Sequence, residues 1–152
     1  MYLIVGLGNP EEEYSNTRHN IGFDAINEVA KRNQIQINKN KYKSLYGQGI
    51  IAGQKVIILK PQTYMNLSGI AVRDFSKFFK IEDDKILIIH DDIDIEEGKV
   101  KIRKTGGAGT HNGMKSVLQE LGNKDFSRIR IGIRKATFST RFKRLCSRED
   151  KK

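Results

Sequence analysis

A histidine and an aspartate that are far apart in the sequence each follow an apolar segment. His19 closes a turn that begins after residues 3–5, and Asp91 follows residues 85–89. Imidazole titrates near neutral pH and can act as a general base, and a carboxylate on its other ring nitrogen can orient it. If both apolar segments are strands of one sheet, a base and its supporting carboxylate meet at one crevice.

The segment 6–20, which contains His19, is dense in side chains that can bind or react. Two closely spaced glycines are followed by Asn9 and Tyr14. It is not a dinucleotide fingerprint, because Glu11 stands where the third glycine belongs. A glycine-containing turn after a buried strand usually opens the ligand crevice of an α/β sheet, so we expect Asn9 and His19 to face it. An ordinary tight turn is the alternative.

Apolar patterns of strand and helix alternate along the chain, which is typical of an α/β domain. Residues 85–89 form a continuous apolar run, and this predicts a central parallel strand that ends at His90, Asp91 and Asp92. The other predicted elements are a strand at 3–5, a helix at 21–33, a hairpin at 46–59, a helix that Ser68 caps, a hairpin at 93–103, a helix at 114–121 and a strand at 129–133.

One predicted strand is basic on one face. Lys101 and Arg103 alternate with Val100 and Ile102, and the glycine-rich segment 104–113 follows. Such a segment can aim backbone amides at an anion, so the stretch is either a phosphate-binding edge or a solvated strand.

The composition is that of an ordinary globular chain with a basic end. The 152 residues carry a formal charge of +10, of which residues 134–152 supply +6, and this excess suggests a polyanionic partner. No apolar run approaches the roughly 20 residues of a membrane helix, and we expect no signal peptide. Cys146 is the only cysteine, which excludes an internal disulfide and favours a reducing cytoplasm.

Five separated motifs stand in one order along the chain. They are Gly6-Leu7-Gly8-Asn9-Pro10 with Tyr14 and Thr17-Arg18-His19-Asn20, then Thr63-Tyr64-Met65-Asn66-Leu67-Ser68-Gly69, His90-Asp91-Asp92-Ile93-Asp94, Gly107-Ala108-Gly109-Thr110-His111-Asn112-Gly113 and Arg128-Ile129-Arg130-Ile131-Gly132-Ile133. Together they resemble bacterial-type peptidyl-tRNA hydrolase, collinearly from the first residue to about residue 133. The resemblance implies one α/β domain over 1–133, with a central mixed, largely parallel twisted sheet and helices on both faces.

The resemblance also implies an esterase that cleaves the bond between a peptide and the terminal ribose of tRNA. By position, His19 corresponds to the catalytic base, Asp91 to the residue that orients it, and Asn9 to the residue that senses the blocked amino group. The residues that correspond to holders of the peptidyl-adenosine end are Tyr14, Tyr64, Met65, Asn66, His111 and Asn112. Those that correspond to a clamp on the tRNA 5′ phosphate are Lys101, Arg103 and Arg130. We expect no cofactor and no metal, and we expect a cytoplasmic monomer.

The sequence departs from the family pattern after Ile133. Family members continue into a long C-terminal helix, whereas the atypical basic tail, 134–152, predicts a shortened helical region. Phe138, Phe142 and Leu145 have helical spacing, so the tail is either a short amphipathic helix or a frayed end. Two rival functions stay open: a catalytically impaired or non-catalytic RNA-binding relative, and a small-molecule or nucleotide-binding α/β domain.

Overall fold

Seven strands form one mixed sheet in the computed structural model, which describes residues 1–8, 20–109 and 111–134. Three α-helices pack on the sheet in these ranges, and short 3₁₀ turns occupy Met65–Leu67 and Asp83–Lys85. The elements are β1 Tyr2–Gly6, α1 Ile21–Arg32, β2 Lys39–Lys41, β3 Ser44–Ile51, β4 Gln54–Pro61, α2 Ser68–Phe78, β5 Ile86–Glu96, β6 Val100–Arg103, α3 Asn112–Leu121 and β7 Ser127–Arg134.

The strand order is β2-β3-β4-β1-β5-β7-β6. The central pairs β4 with β1, β1 with β5, and β5 with β7 are parallel, and the three outer pairs are antiparallel. The predicted α/β class with a mixed sheet is confirmed. Parallel pairing is confined to the centre, where the carboxyl end of β1 lies beside Ile89, the residue of β5 that precedes His90 and Asp91.

Both faces of the central strands are buried, which explains their continuous apolar sequences. On one face α1 contributes Ile26 and Ala30 to a cluster with Ile58 and Ile89. On the other face α2 and α3 contribute the residues Val72, Phe75, Met114 and Val117 to a cluster that also holds Leu3, Val5 and Ile88. The helices therefore fix where the carboxyl ends of β1 and β5 open to solvent.

Three local predictions were wrong. Residues 93–103 are not a hairpin, because β7 lies between β5 and β6, and β6 pairs with β7. The strand does not end at Asp92 but continues to Glu96, with an irregular register between them. Ser68 does not cap α2; its hydroxyl donates to the Met65 carbonyl oxygen at 2.8 Å, because a 3₁₀ turn already leads into the helix. The predicted tail lies outside the described residues, except for Arg134 at the end of β7.

Helices α2 and α3 approach closely at Gly69. The backbone N–H of Gly69 donates to the Ser116 hydroxyl at 2.8 Å, and a Cβ at position 69 would lie 2.1 Å from the Ser116 carbonyl oxygen. Only glycine allows this separation. The contact sets the start of α3 beside the turn at Met65–Leu67.

We expect Gly69→Ala to lower the free energy of unfolding by about 1–3 kcal/mol, because the added methyl group forces the two helices apart. Urea denaturation measures the change. Gly107→Ala is the matched control, since a Cβ there meets no atom within 4 Å. Equal stability of the two variants would contradict the close-packing explanation.

Candidate active site

A buried carboxylate and an imidazole form the centre of the site. Asp91 projects from β5 and is 5% exposed, and its Oδ1 lies 2.8 Å from Nε2 of His111, the residue before α3. Nδ1 of His111 accepts a hydrogen bond from the backbone N–H of Met114 at 3.1 Å. Because Nδ1 accepts, this network assigns the proton of the neutral ring to Nε2, which donates to Asp91.

The Asp91 contact with His111 adds to what the sequence predicted. Sequence reasoning paired Asp91 with His19 and placed His111 among the residues that hold the substrate. His19 lies outside the described residues, as do Asn9 and Tyr14, so the predicted pairing stays a prediction. A carboxylate offers about four acceptor positions on two oxygens, so one imidazole on Oδ1 is compatible with a second.

A second buried histidine, His90, supports this centre and was missed by the sequence reasoning. Its Nδ1 donates to the carbonyl oxygen of Asp91 at 2.7 Å, and its ring meets the His111 ring edge to face, with centroids 4.8 Å apart. Burial lowers the pKa of His90 to about 4, and the adjacent His111 acts in the same direction, while the carboxylates of Asp91 and Asp92 oppose the shift. His90 is therefore neutral at neutral pH. Its place beside Asp91 in the motif was the available signal.

The predicted clamp residues lie on one face of β6 and β7. Lys101 is opposite Arg130 in the antiparallel register, and Arg103 is opposite Arg128. Directly opposite residues point to the same side of a sheet, so these four basic side chains form a block, which we call the basic face. Lys101 and Arg103 are exposed on β6.

Arg130 has an acidic partner within the basic face. Its Nε donates to Oδ2 of Asp92 at 2.7 Å. Burial alone would raise the pKa of Asp92, but hydrogen bonds from the Asp94 backbone and from Arg130 outweigh it and lower that pKa. The charge of Arg130 is thus partly compensated, whereas Lys101 and Arg103 form no ion pair among the described residues.

A cavity of about 610 Å³ joins the buried centre to the basic face. Its walls include Met65, His111 and Asn112 from the predicted substrate-binding set, together with most of the glycine-rich segment. Tyr64 and Asn66 are exposed beside it and do not line it, and Lys101 does not line it either. The structure therefore brings six predicted site residues to one cavity: Met65, Asp91, Arg103, His111, Asn112 and Arg130.

Two kinds of feature are absent from the described residues. No group of three or more histidine, cysteine, aspartate or glutamate side chains in that part of the chain is arranged to hold a metal ion. None of its helices is long and apolar enough to cross a membrane.

These features define an α/β protein that has a carboxylate–imidazole contact on a central strand of its sheet, beside a basic face. A model of the family described as peptidyl-tRNA hydrolase matches residues 3–144. The chain is 55% identical over 133 residues to the peptidyl-tRNA hydrolase of Clostridium beijerinckii, which is 88% of this chain and 70% of that protein. It is 53% identical over 138 residues to that of Alkaliphilus metalliredigens, covering 91% and 75%.

A solved structure agrees with these sequence matches. The crystal structure of peptidyl-tRNA hydrolase from Acinetobacter baumannii matches with a TM-score of 0.85 at 42% identity, over 90% of this chain and 69% of that one. The chain therefore belongs to the peptidyl-tRNA hydrolase family. The resemblance that its five motifs indicated is confirmed.

The neutral state of His90 makes stability depend on pH. In the unfolded chain a histidine takes up a proton near pH 6.5, whereas folded His90 does so only near pH 4. Its contribution is therefore fully present above pH 6.5 and is lost as pH falls towards 4. We expect a loss of about 2–3 kcal/mol between pH 7 and 4.5 that is missing in His90→Gln. Chemical denaturation at both pH values measures it, and parallel pH dependences of the two proteins would contradict it.

Proposed function

We propose that this chain hydrolyses the ester bond between a peptide, or an N-blocked amino acid, and the 3′-terminal ribose of peptidyl-tRNA, and so releases tRNA for translation. The single observation that supports this most is the cavity that connects the buried Asp91–His111 contact to the basic face. A hydrolytic centre and a phosphate-binding surface are the two parts that a peptidyl-tRNA substrate requires. Family membership supports the same substrate.

The proposed chemistry is attack by water on the ester carbonyl. His19 takes the proton from water, and Asp91 stabilises the imidazolium that forms. Asn9 binds near the blocked amino group, and its uncharged amide can donate to the oxyanion that develops on the carbonyl. The water oxygen bonds to the carbonyl carbon, and the bond to the ribose oxygen breaks when that oxygen regains a proton from His19.

The cavity is proposed to hold the peptidyl-adenosine end of the substrate. Its volume of about 610 Å³ falls within the roughly 300–1,000 Å³ typical of ligand pockets. Met65 supplies an apolar wall, and Asn112, exposed at the first position of α3, supplies a hydrogen-bonding amide. Tyr64 and Asn66, outside the lining, are proposed to contact parts of the substrate that project beyond it.

The basic face is proposed to bind the 5′ phosphate of the tRNA. Lys101 and Arg103 are exposed and have no acidic partner among the described residues, so they are the strongest candidates. Arg130, which Asp92 partly neutralises, contributes less charge but a fixed position. The enzyme is further proposed to act as a monomer in the cytoplasm, where its substrate arises.

We expect His19→Ala to lower kcat for a blocked aminoacyl-tRNA by about 10²- to 10⁴-fold, because the attacking water loses its base. The release of tRNA from the purified chain is the measurement, with circular dichroism and tRNA binding as controls for folding. Hydrolysis within a few-fold of the parent would remove His19 from the role of base. A parent chain that binds tRNA without turnover would instead be a non-catalytic relative.

We expect Lys101→Ala or Arg103→Ala to weaken binding of all tRNAs alike and to reduce the slope of log affinity against log salt by about 0.7–0.9, since each phosphate contact releases counterions. Filter binding over a salt series measures the slope. Lys55→Ala is the matched control, because Lys55 is exposed at the start of β4, away from the carboxyl end of the sheet. A slope equal to that of the control would exclude these two side chains from the interface.

A further inference from the structure

Arg128 is a buried cation that forms no ion pair among the described residues, although the nearby carboxylate of Asp125 attracts its charge. It is 1% exposed, and its guanidinium donates to three backbone carbonyl oxygens: those of Gly106, of Lys124 at 2.7 Å and of Phe126 at 3.0 Å. The guanidinium also lies over the Phe126 ring, 4.3 Å from its centroid. Burying a charge is costly unless fixed dipoles replace water. Here three carbonyl groups and an aromatic face replace most of it, while Nε of Arg128 has no hydrogen-bond partner among the described residues.

The three carbonyl groups belong to two different connections. Gly106 is in the glycine-rich segment between β6 and α3, whereas Lys124 and Phe126 are in the connection between α3 and β7. Arg128 thus joins the segment that leads into α3 to the segment that leaves it. It does so within the basic face, beside Arg103, because the two arginines are register partners.

The contact with Gly106 determines how the chain leaves β6. Gly106 has a φ of +150°, a conformation that glycine adopts without strain, and it lies three residues after Arg103. Residues 105–109 then form a wall of the cavity before the chain reaches His111. The Gly106 carbonyl group that Arg128 binds therefore lies between the exposed end of β6, at Arg103, and the wall of the cavity.

We propose that Arg128 is a positioning residue for phosphate binding. By holding the Gly106 carbonyl, it fixes the Arg103 side chain and the cavity wall relative to Arg130. Its own guanidinium borders the cavity but is 1% exposed and is bound by backbone carbonyl groups. The inference rests on the proposed function, because it assigns a role within the phosphate-binding face of that site. Lysine cannot replace it fully, since a single ammonium group lacks the planar fork that reaches three carbonyl groups.

The test measures the affinity of deacylated tRNA with and without its 5′ phosphate, so that it does not depend on catalysis. In Arg128→Met we expect the preference for the phosphorylated form to fall about tenfold, because this corresponds to the loss of roughly one charge-assisted hydrogen bond. We expect Arg128→Lys to recover part of the preference. Arg73→Met is the matched control, because it removes a structural arginine that pairs with Glu120 at 2.5 Å on another face. An equal loss of affinity for both forms of tRNA would overturn the proposal, since it would indicate general damage.

Gly106→Ala keeps the proposal testable if Arg128→Met does not fold. The alanine is strained at this φ and displaces the carbonyl group that Arg128 holds, so we expect the same selective loss with Arg128 still present. Retention of the parent's phosphate preference in this variant would overturn the positioning role, as would a parent without any preference. A parent that shows the preference but no hydrolysis would contradict the proposed function and leave this inference standing.

Discussion

The buried carboxylate of Asp91 is the constraint on which the arrangement of the site depends. A carboxylate that is 5% exposed in β5, just after the apolar run of that strand, must be hydrogen-bonded, since an unpaired buried charge costs several kcal/mol, on the order of a domain's whole stability. His111 meets that requirement only because α3 begins next to β5. The close approach of α2 and α3 at Gly69 makes this position possible. Gly69, although it lies away from the reacting groups, therefore helps to place the histidine that binds the Asp91 carboxylate.

The site has a histidine pair beside Asp91 and a separate group of charged side chains on the basic face. His90 and His111 lie ring against ring, and burial holds His90 neutral beside Asp91. The basic face follows a similar arrangement, in which Arg130 is paired with Asp92 and Arg128 is bound to backbone carbonyl groups. Within the basic face, Lys101 and Arg103 of β6 are therefore the exposed cations that have no ion pair among the described residues.

Much of the fold was predictable because its signals are local. The apolar run at 85–89 predicted a buried strand, and the side chains after it were expected at a crevice, where the structure places Asp91. The pairing of β6 was not predictable in the same way, because adjacency along the chain favours a hairpin with β5. The insertion of β7 depends on residues more than 20 positions later. Local sequence patterns therefore do not predict pairing between strands that are this far apart in the chain.

The same limit explains what was missed in the site. Arg128 and Arg130 are two positions apart and lie on one face of β7, but this spacing does not say which of two equivalent arginines is buried. That outcome depends on where the two connections around α3 place their carbonyl groups. Three of them converge on position 128, whereas position 130 meets a carboxylate from the neighbouring strand. Identical residue types two positions apart therefore differ in role because their surroundings come from other parts of the chain.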